Sequence, residues 1–313
     1  MRNCAPIILF VYNRPEHTEK VIDALKQNEL SRDSDLFIFS DNYKNENSKD
    51  RVNLVRNYLK TISGFKSINI VERDVNYGLK RNILEGVTDI IDQFGKAIVL
   101  EDDIQATPFF LDYMNDALDR YEAENEVMEI SASHEQMDIE GLSESFFLKK
   151  GFCHGWATWK RAWDKYDKGL TPKEIIERFD RNQRKAFNLN GANFEFGEVI
   201  DNYIGKLDTW AVFWDAAIFM NDGLVLVPRD NVAENIGFDG TGEHCPDNGP
   251  GVIAVATKKI ECFPETIEED VIAMKRYVDG CKLGRPGLFH RIYYLIRWSV
   301  EKQVKSISDS VIR

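Results

Sequence analysis

Three consecutive carboxylates, Glu101, Asp102 and Asp103, close the apolar run Ala97-Ile98-Val99-Leu100. Charges set this close repel by a few kcal/mol unless something cationic sits among them. Oxygen ligands suit a hard divalent ion, Mn2+ or Mg2+, of the kind often shared with a substrate's phosphates. The plain alternative is a solvated acidic turn after a strand. Arg14 ends another apolar run, residues 7–12, and its fork suits a phosphate or a stacked base. Trp156 follows His154 and Gly155. An exposed indole there could stack on a sugar ring, while a core position would explain it equally well. Residues 237–242 carry three glycines and lead into Glu243-His244-Cys245. Such a stretch could close over a diphosphate, with His244 completing a metal shell or bonding a phosphate.

Chemistry of this kind needs elements that bring the residues to one edge. Runs at 7–12, 35–41 and 68–71, and the apolar run 97–100 before the acids, read as strands. Between them, amphipathic spacing predicts a helix from Pro15, a second carrying Val52, Val55, Tyr58, Leu59 and Ile62, and a third over 79–94. Strands alternating with helices predict an α/β fold with a mostly parallel central sheet flanked by helices. Ligands of such sheets sit beyond the carboxyl ends of the strands, which is where the acid triplet falls. Neither GxGxxG nor GxxxxGK[ST] is present, so a nucleotide would be held by strand-end residues and a metal.

Further along, Thr107 and Pro108 predict the start of a helix reaching about residue 122. Strands are expected at 127–131, 146–148 and 224–228, and a helix at 210–220. Residues 151–163 read as a loop dense in glycine and tryptophan. The periodicity weakens over 168–207, with helical patches around 172–187, and 235–251 reads as a loop. The segment 289–298 is aromatic and basic, as in helices that lie at a membrane interface.

The 313 residues carry a net charge of -12, which argues against a general nucleic-acid binder, since that needs a basic face. A metal-masked diphosphate stays compatible with it. Five cysteines without a CxxC pair read as free thiols in a reducing compartment. No signal peptide and no membrane-spanning run is apparent. The expected location is the cytoplasm, with a peripheral contact at the inner membrane face as an option.

Several segments together resemble a known family. They are Phe10-Val11-Tyr12-Asn13-Arg14-Pro15, Ser40-Asp41, Val99-Leu100-Glu101-Asp102-Asp103 with Pro108-Phe109-Phe110, and Gly155-Trp156-Ala157-Thr158-Trp159. In this order they resemble GT-A fold glycosyltransferases, specifically bacterial sugar transferases similar to the inverting N-acetylglucosaminyltransferase I family. The resemblance covers roughly residues 5–215. It implies a Rossmann-like GT-A domain with a donor-binding half at 1–104 and a less regular acceptor-side half at 105–288. A C-terminal amphipathic helix at 289–313 would follow.

The resemblance also implies roles. Asp103 would coordinate manganese, Asp102 would contact the ribose and Glu101 the donor sugar. Asp41 would accept the uracil N3–H, and Asn82 would touch the donor. Inverting transfer needs a carboxylate to deprotonate the acceptor hydroxyl. The resembled enzymes use the first aspartate of an Asp-Asp-Trp segment; Asp208, in Asp208-Thr209-Trp210, matches this as Asp-x-Trp, and Asp215 is the rival. The implied reaction moves a sugar from a UDP-linked donor to a glycan or lipid-linked acceptor in surface polysaccharide assembly. Two other readings stand beside it: a sugar nucleotidyltransferase, for which the glycine-rich basic N-terminal loop is missing, and a non-catalytic nucleotide- or sugar-binding module.

Overall fold

The computed structural model describes residues 3–135, 137–166, 170–240 and 254–283. Its first half follows the expected alternation: β1 (Ile7–Val11), α1 (Pro15–Lys26), β2 (Asp35–Ser40), α2 (Glu46–Leu59), β3 (Ser67–Glu72), α3 (Leu79–Phe94) and β4 (Lys96–Glu101). The strands β3, β2, β1 and β4 lie side by side in that order, all parallel. Every residue of β1 is buried, as a strand covered on both faces must be. Alternate side chains go to opposite layers. Ile8, Phe10 and Val99 pack with Ile83, Val87 and Ile91 of α3. Ile7, Leu9, Ile98 and Leu100 pack with Val21 and Ile22 of α1.

Register then sets the site. Phe10 lies opposite Glu101, and Val11 opposite Ser40. Tyr12 to Arg14, Asp41 and the acid triplet therefore leave the sheet together at its carboxyl edge. Pro15 opens α1 at its first turn, where its missing N–H costs nothing. Gly78, at φ +72, and Gly95, at φ +80, bracket α3 in a conformation other residues adopt only with strain.

The second half continues with β5 (Ile104–Ala106), α4 (Phe110–Arg120), β6 (Val127–Ser131), β7 (Ser145–Leu148), β8 (Trp156–Trp159), α5 (Lys160–Trp163), α6 (Pro172–Arg178), α7 (Arg181–Phe187), α8 (Glu195–Tyr203), α9 (Ala211–Met220), β9 (Leu224–Pro228), β10 (Ala233–Asn235) and α10 (Val271–Leu283). The main sheet has eight strands in the order β3-β2-β1-β4-β8-β6-β9-β7. Strand β8 runs antiparallel to both β4 and β6, and β7 antiparallel to β9. The result is a mixed, mostly parallel sheet flanked by helices. Strands β5 and β10 form a separate antiparallel ribbon.

Some local expectations are corrected. The stretch read as a loop at 151–163 holds β8 and α5; its four strand residues are all buried, so no in-out alternation betrays the strand. The helix expected from Thr107-Pro108 begins at Phe110. The backbone N–H of Phe110 donates to the Thr107 carbonyl at 3.2 Å, so Pro108 and Phe109 turn rather than coil. Helix α10 was not foreseen, because it buries little beyond Ala273 and Tyr277 and its apolar spacing is weak. Cys153, Cys262 and Cys281 are free thiols. Among the described residues no helix is long and apolar enough to cross a membrane. Residues 289–313 lie outside the described residues.

Candidate functional site

Arg14 reaches the acid triplet from the start of α1, just past the neighbouring strand β1. Its carbonyl accepts the N–H of Thr18 at 2.9 Å and the Thr18 hydroxyl at 2.8 Å, which locks its backbone to the first turn of α1. The side chain then donates to Asp102 Oδ1 from Nε at 3.1 Å and from Nη2 at 2.5 Å. Nη2 also donates to Asp103 Oδ2 at 2.7 Å. The backbone N–H of Tyr12 donates to Asp102 Oδ2 at 3.3 Å. Burial disfavours the guanidinium charge, but Asp102 and Asp103 outweigh it and raise the Arg14 pKa. Burial also raises the Asp102 pKa, against the pull of Arg14. Glu101 is half-buried and makes no hydrogen bond with its carboxylate among the described residues. Burial, then Asp103 and Asp102, push its pKa up to about 8. On the other side, the Ile236 N–H donates to the Asp103 carbonyl at 2.8 Å. A Cβ on Gly237 would clash with Asp103 Oδ2 and lie 3.0 Å from its Cβ and Cγ.

Asp41 is buried and fully engaged. One oxygen accepts the N–H groups of Asn42 and Tyr77, both at 2.8 Å. The other accepts Gly78 N–H at 2.9 Å and Asn76 Nδ2 at 3.1 Å. It thus clasps the turn that starts α3 onto the end of β2. Asn82, also buried, accepts Arg73 Nε at 3.0 Å, and Arg73 lies over the rings of Tyr77 and Phe39. Both side chains lie near the carboxyl edge of the sheet, where the Asp41 carboxylate and the Asn82 Oδ1 atom hold the wall together.

A second polar group lies beside the triplet. Lys150 Nζ donates to the Gly151 carbonyl at 3.0 Å and Asp215 Oδ2 at 3.1 Å, and pairs with Glu195 at 3.2 Å. Burial opposes the lysine charge; Asp215 and Glu195 overcome it and raise its pKa. Asp215 Oδ1 accepts Gly151 N–H at 2.9 Å, and Glu129 accepts Phe152 N–H at 2.9 Å and Trp214 Nε1 at 2.6 Å. Burial pushes Glu129 up to about 8 and Glu195 up to about 7. These carboxylates strap residues 150–155 across the ends of β4 and β6. The strap carries Cys153, whose pKa burial and then Glu101 raise, and His154, whose pKa burial lowers against Asp103 and Glu135. His154 meets the Phe238 ring edge-on at 6.5 Å. The one signal in the sequence for this group was Glu129, a charge inside the apolar run 127–131.

The remaining candidates separate. Trp156 is 1% exposed and packed among Trp163, Trp210 and Trp214 at 5.3 to 6.0 Å between ring centres, so its place is the core and no sugar ring reaches it. Asp208 is 85% exposed and pairs at 3.3 Å with Lys80 of α3. Asp215 is locked under Lys150. His244 lies outside the described residues.

Among the described residues no three His, Cys, Asp or Glu side chains are arranged to hold a metal ion. The donor chemistry still fits one: Asp102 and Asp103 share a single guanidinium, and the Glu101 carboxylate and the Asp103 Oδ1 atom carry no hydrogen bond among the described residues. Hard oxygen ligands with uncompensated negative charge are what Mn2+ or Mg2+ takes.

No family model and no curated protein matches the chain. Solved structures are similar to it at low identity. The mannosyltransferase PcManGT from Pyrobaculum calidifontis, in complex with GDP-Man and Mn2+, is 10% identical over 71% of this chain and 69% of that one, with a TM-score of 0.42. TarS 1-349 from S. aureus is 8% identical over 73% and 59%, also at 0.42. A longer S. aureus TarS chain is 11% identical over 40% of this chain, with a TM-score of 0.29, and the match spans 21% of its own length. Likenesses this distant say nothing of activity.

Proposed function

We propose that the chain is a metal-dependent GT-A glycosyltransferase of the kind its motifs resemble, the N-acetylglucosaminyltransferase I family. It would move a sugar from a nucleotide-diphosphate donor, UDP-linked, to a glycan or lipid-linked acceptor with inversion, in surface polysaccharide biosynthesis. The observation that supports this best is the acid triplet at the carboxyl end of the central strand β4, facing Arg14 just past the end of the parallel strand β1.

In this reading Asp103 holds the divalent ion, and Asp102 and Glu101 face the ribose and the donor sugar. When bound, the ion neutralises charge that builds on the leaving diphosphate. Arg14 supplies further donors to the same phosphates. Asp208 is the better base than Asp215, because its carboxylate is solvent-reachable while both Asp215 oxygens are taken. Lys80, beside Asp208, would hold it in place. The same reading puts the protein in the cytoplasm, with a peripheral membrane contact through the 289–313 segment.

The test is a panel of nucleotide sugars with Mn2+ and purified protein, reading released nucleoside diphosphate. UDP release from one donor that disappears in Asp103→Ala supports the reading. No release from any donor, or undiminished release by Asp103→Ala, overturns it.

A further inference from the structure

Arg14 stands where a cation would. Its Nη2 spans Asp102 at 2.5 Å and Asp103 at 2.7 Å, and these side chains are 13%, 7% and 9% exposed for Arg14, Asp102 and Asp103. The remaining nitrogen, Nη1, is buried and has no hydrogen-bond partner among the described residues. A buried donor left unpaired costs free energy, so the pairing satisfies the carboxylates better than the arginine. Gly237 closes off Asp103 from the other side.

We propose that Arg14 is a latch on the acid triplet. It occupies Asp102 and Asp103 in the free protein, and it gives them up to the divalent ion when a diphosphate arrives to take the guanidinium. The proposal rests on the reading of this edge as a nucleotide-diphosphate site and concerns how its two ligands depend on each other. An ion arriving alone must break charge-assisted hydrogen bonds that span two carboxylates. It would also leave a mostly buried guanidinium without its counter-ions. A diphosphate removes both obstacles, since its oxygens accept from the same fork and fill Nη1 as well. Ion and diphosphate therefore bind cooperatively, each raising the other's affinity by the same factor.

The test is a Mn2+ titration of the full chain without nucleotide, followed by electron paramagnetic resonance of the free ion. Wild-type protein is expected to bind Mn2+ weakly, and Arg14→Gln about tenfold more tightly, within the usual range of such couplings. UDP binding by calorimetry, with and without Mn2+, is expected to show strong coupling in wild type and little in the variant. If Arg14→Gln binds Mn2+ no more tightly than wild type while wild type still binds UDP with Mn2+, the latch is wrong and the site reading stands. If wild type binds no Mn2+ even with UDP, both fall. Should the glutamine variant not fold, Arg14→Lys keeps a charge but loses the fork. It is expected to gain Mn2+ affinity in the same direction, and no gain overturns the latch.

Discussion

Replacing Asp215 and Asp208 separately by asparagine divides structural from chemical work. Asp215 is 9% exposed on its side chain, and Lys150 11%. One oxygen takes Lys150 Nζ at 3.1 Å and the other takes Gly151 N–H at 2.9 Å. An asparagine in place of Asp215 would keep an acceptor for Gly151 but withdraw charge from a buried ammonium. Breaking one side of a buried ion pair costs about 3–5 kcal/mol. The retained hydrogen bond and Glu195, still 3.2 Å from Lys150, place Asp215→Asn at about 3 kcal/mol. Urea denaturation reads this directly. Asp208 is 85% exposed, so Asp208→Asn leaves the urea midpoint where it was. In the proposed role of base, however, its loss lowers kcat by about a hundredfold or more, measured as UDP release at saturating donor and acceptor. The reasoning is refuted if Asp215→Asn is as stable as wild type, or if Asp208→Asn turns over at the wild-type rate.

Three other outcomes follow from the geometry. Gly237→Ala pushes a methyl into the Asp103 carboxylate and lowers Mn2+ affinity in the presence of UDP, with little change in the urea midpoint. Asp41→Asn leaves part of a set of four N–H donors unpaired and costs about 1–3 kcal/mol of stability; a variant that altered only base preference would contradict the clasp. Glu129 is held protonated well above its ordinary range, up to about 8. The native state then keeps a proton that the unfolded chain has released, so this contribution to stability is full at low pH and falls as pH rises from the ordinary carboxylate range to about 8. Glu129→Ala should flatten the pH profile of the urea midpoint between these limits, and an unchanged slope would count against it.

The first half of the chain was legible because its site-bearing strands end in a sharp change of residue type. Val99-Leu100 stops at Glu101, and Phe39-Ser40 stops at Asp41, so the edge could be named before any contact was known. What Asp41 does there could not be read, since its partners Asn76 to Gly78 lie some 35 residues away. Trp156 misled for the opposite reason. Glycine and tryptophan side by side look like a ligand wall, yet four indoles meeting at 5.3 to 6.0 Å make a core that depends on helices α5 and α9 folding back together. The Lys150 group was hidden because its members are spread from Glu129 to Asp215, and only the sheet brings them together.

The placing of β8 between β4 and β6 carries a mechanical consequence. A strand from beyond residue 150 is laced, by ladders on both its edges, to a strand before residue 102 and to one after residue 126. Cutting the gene near residue 104 would therefore sever the weave, and neither piece should survive as an independent folding unit. Nor can the two sides swing apart like the jaws of a clamshell without tearing main-chain hydrogen bonds. Any movement at this edge is therefore left to the connections beyond the strand ends, with the woven floor staying still beneath them.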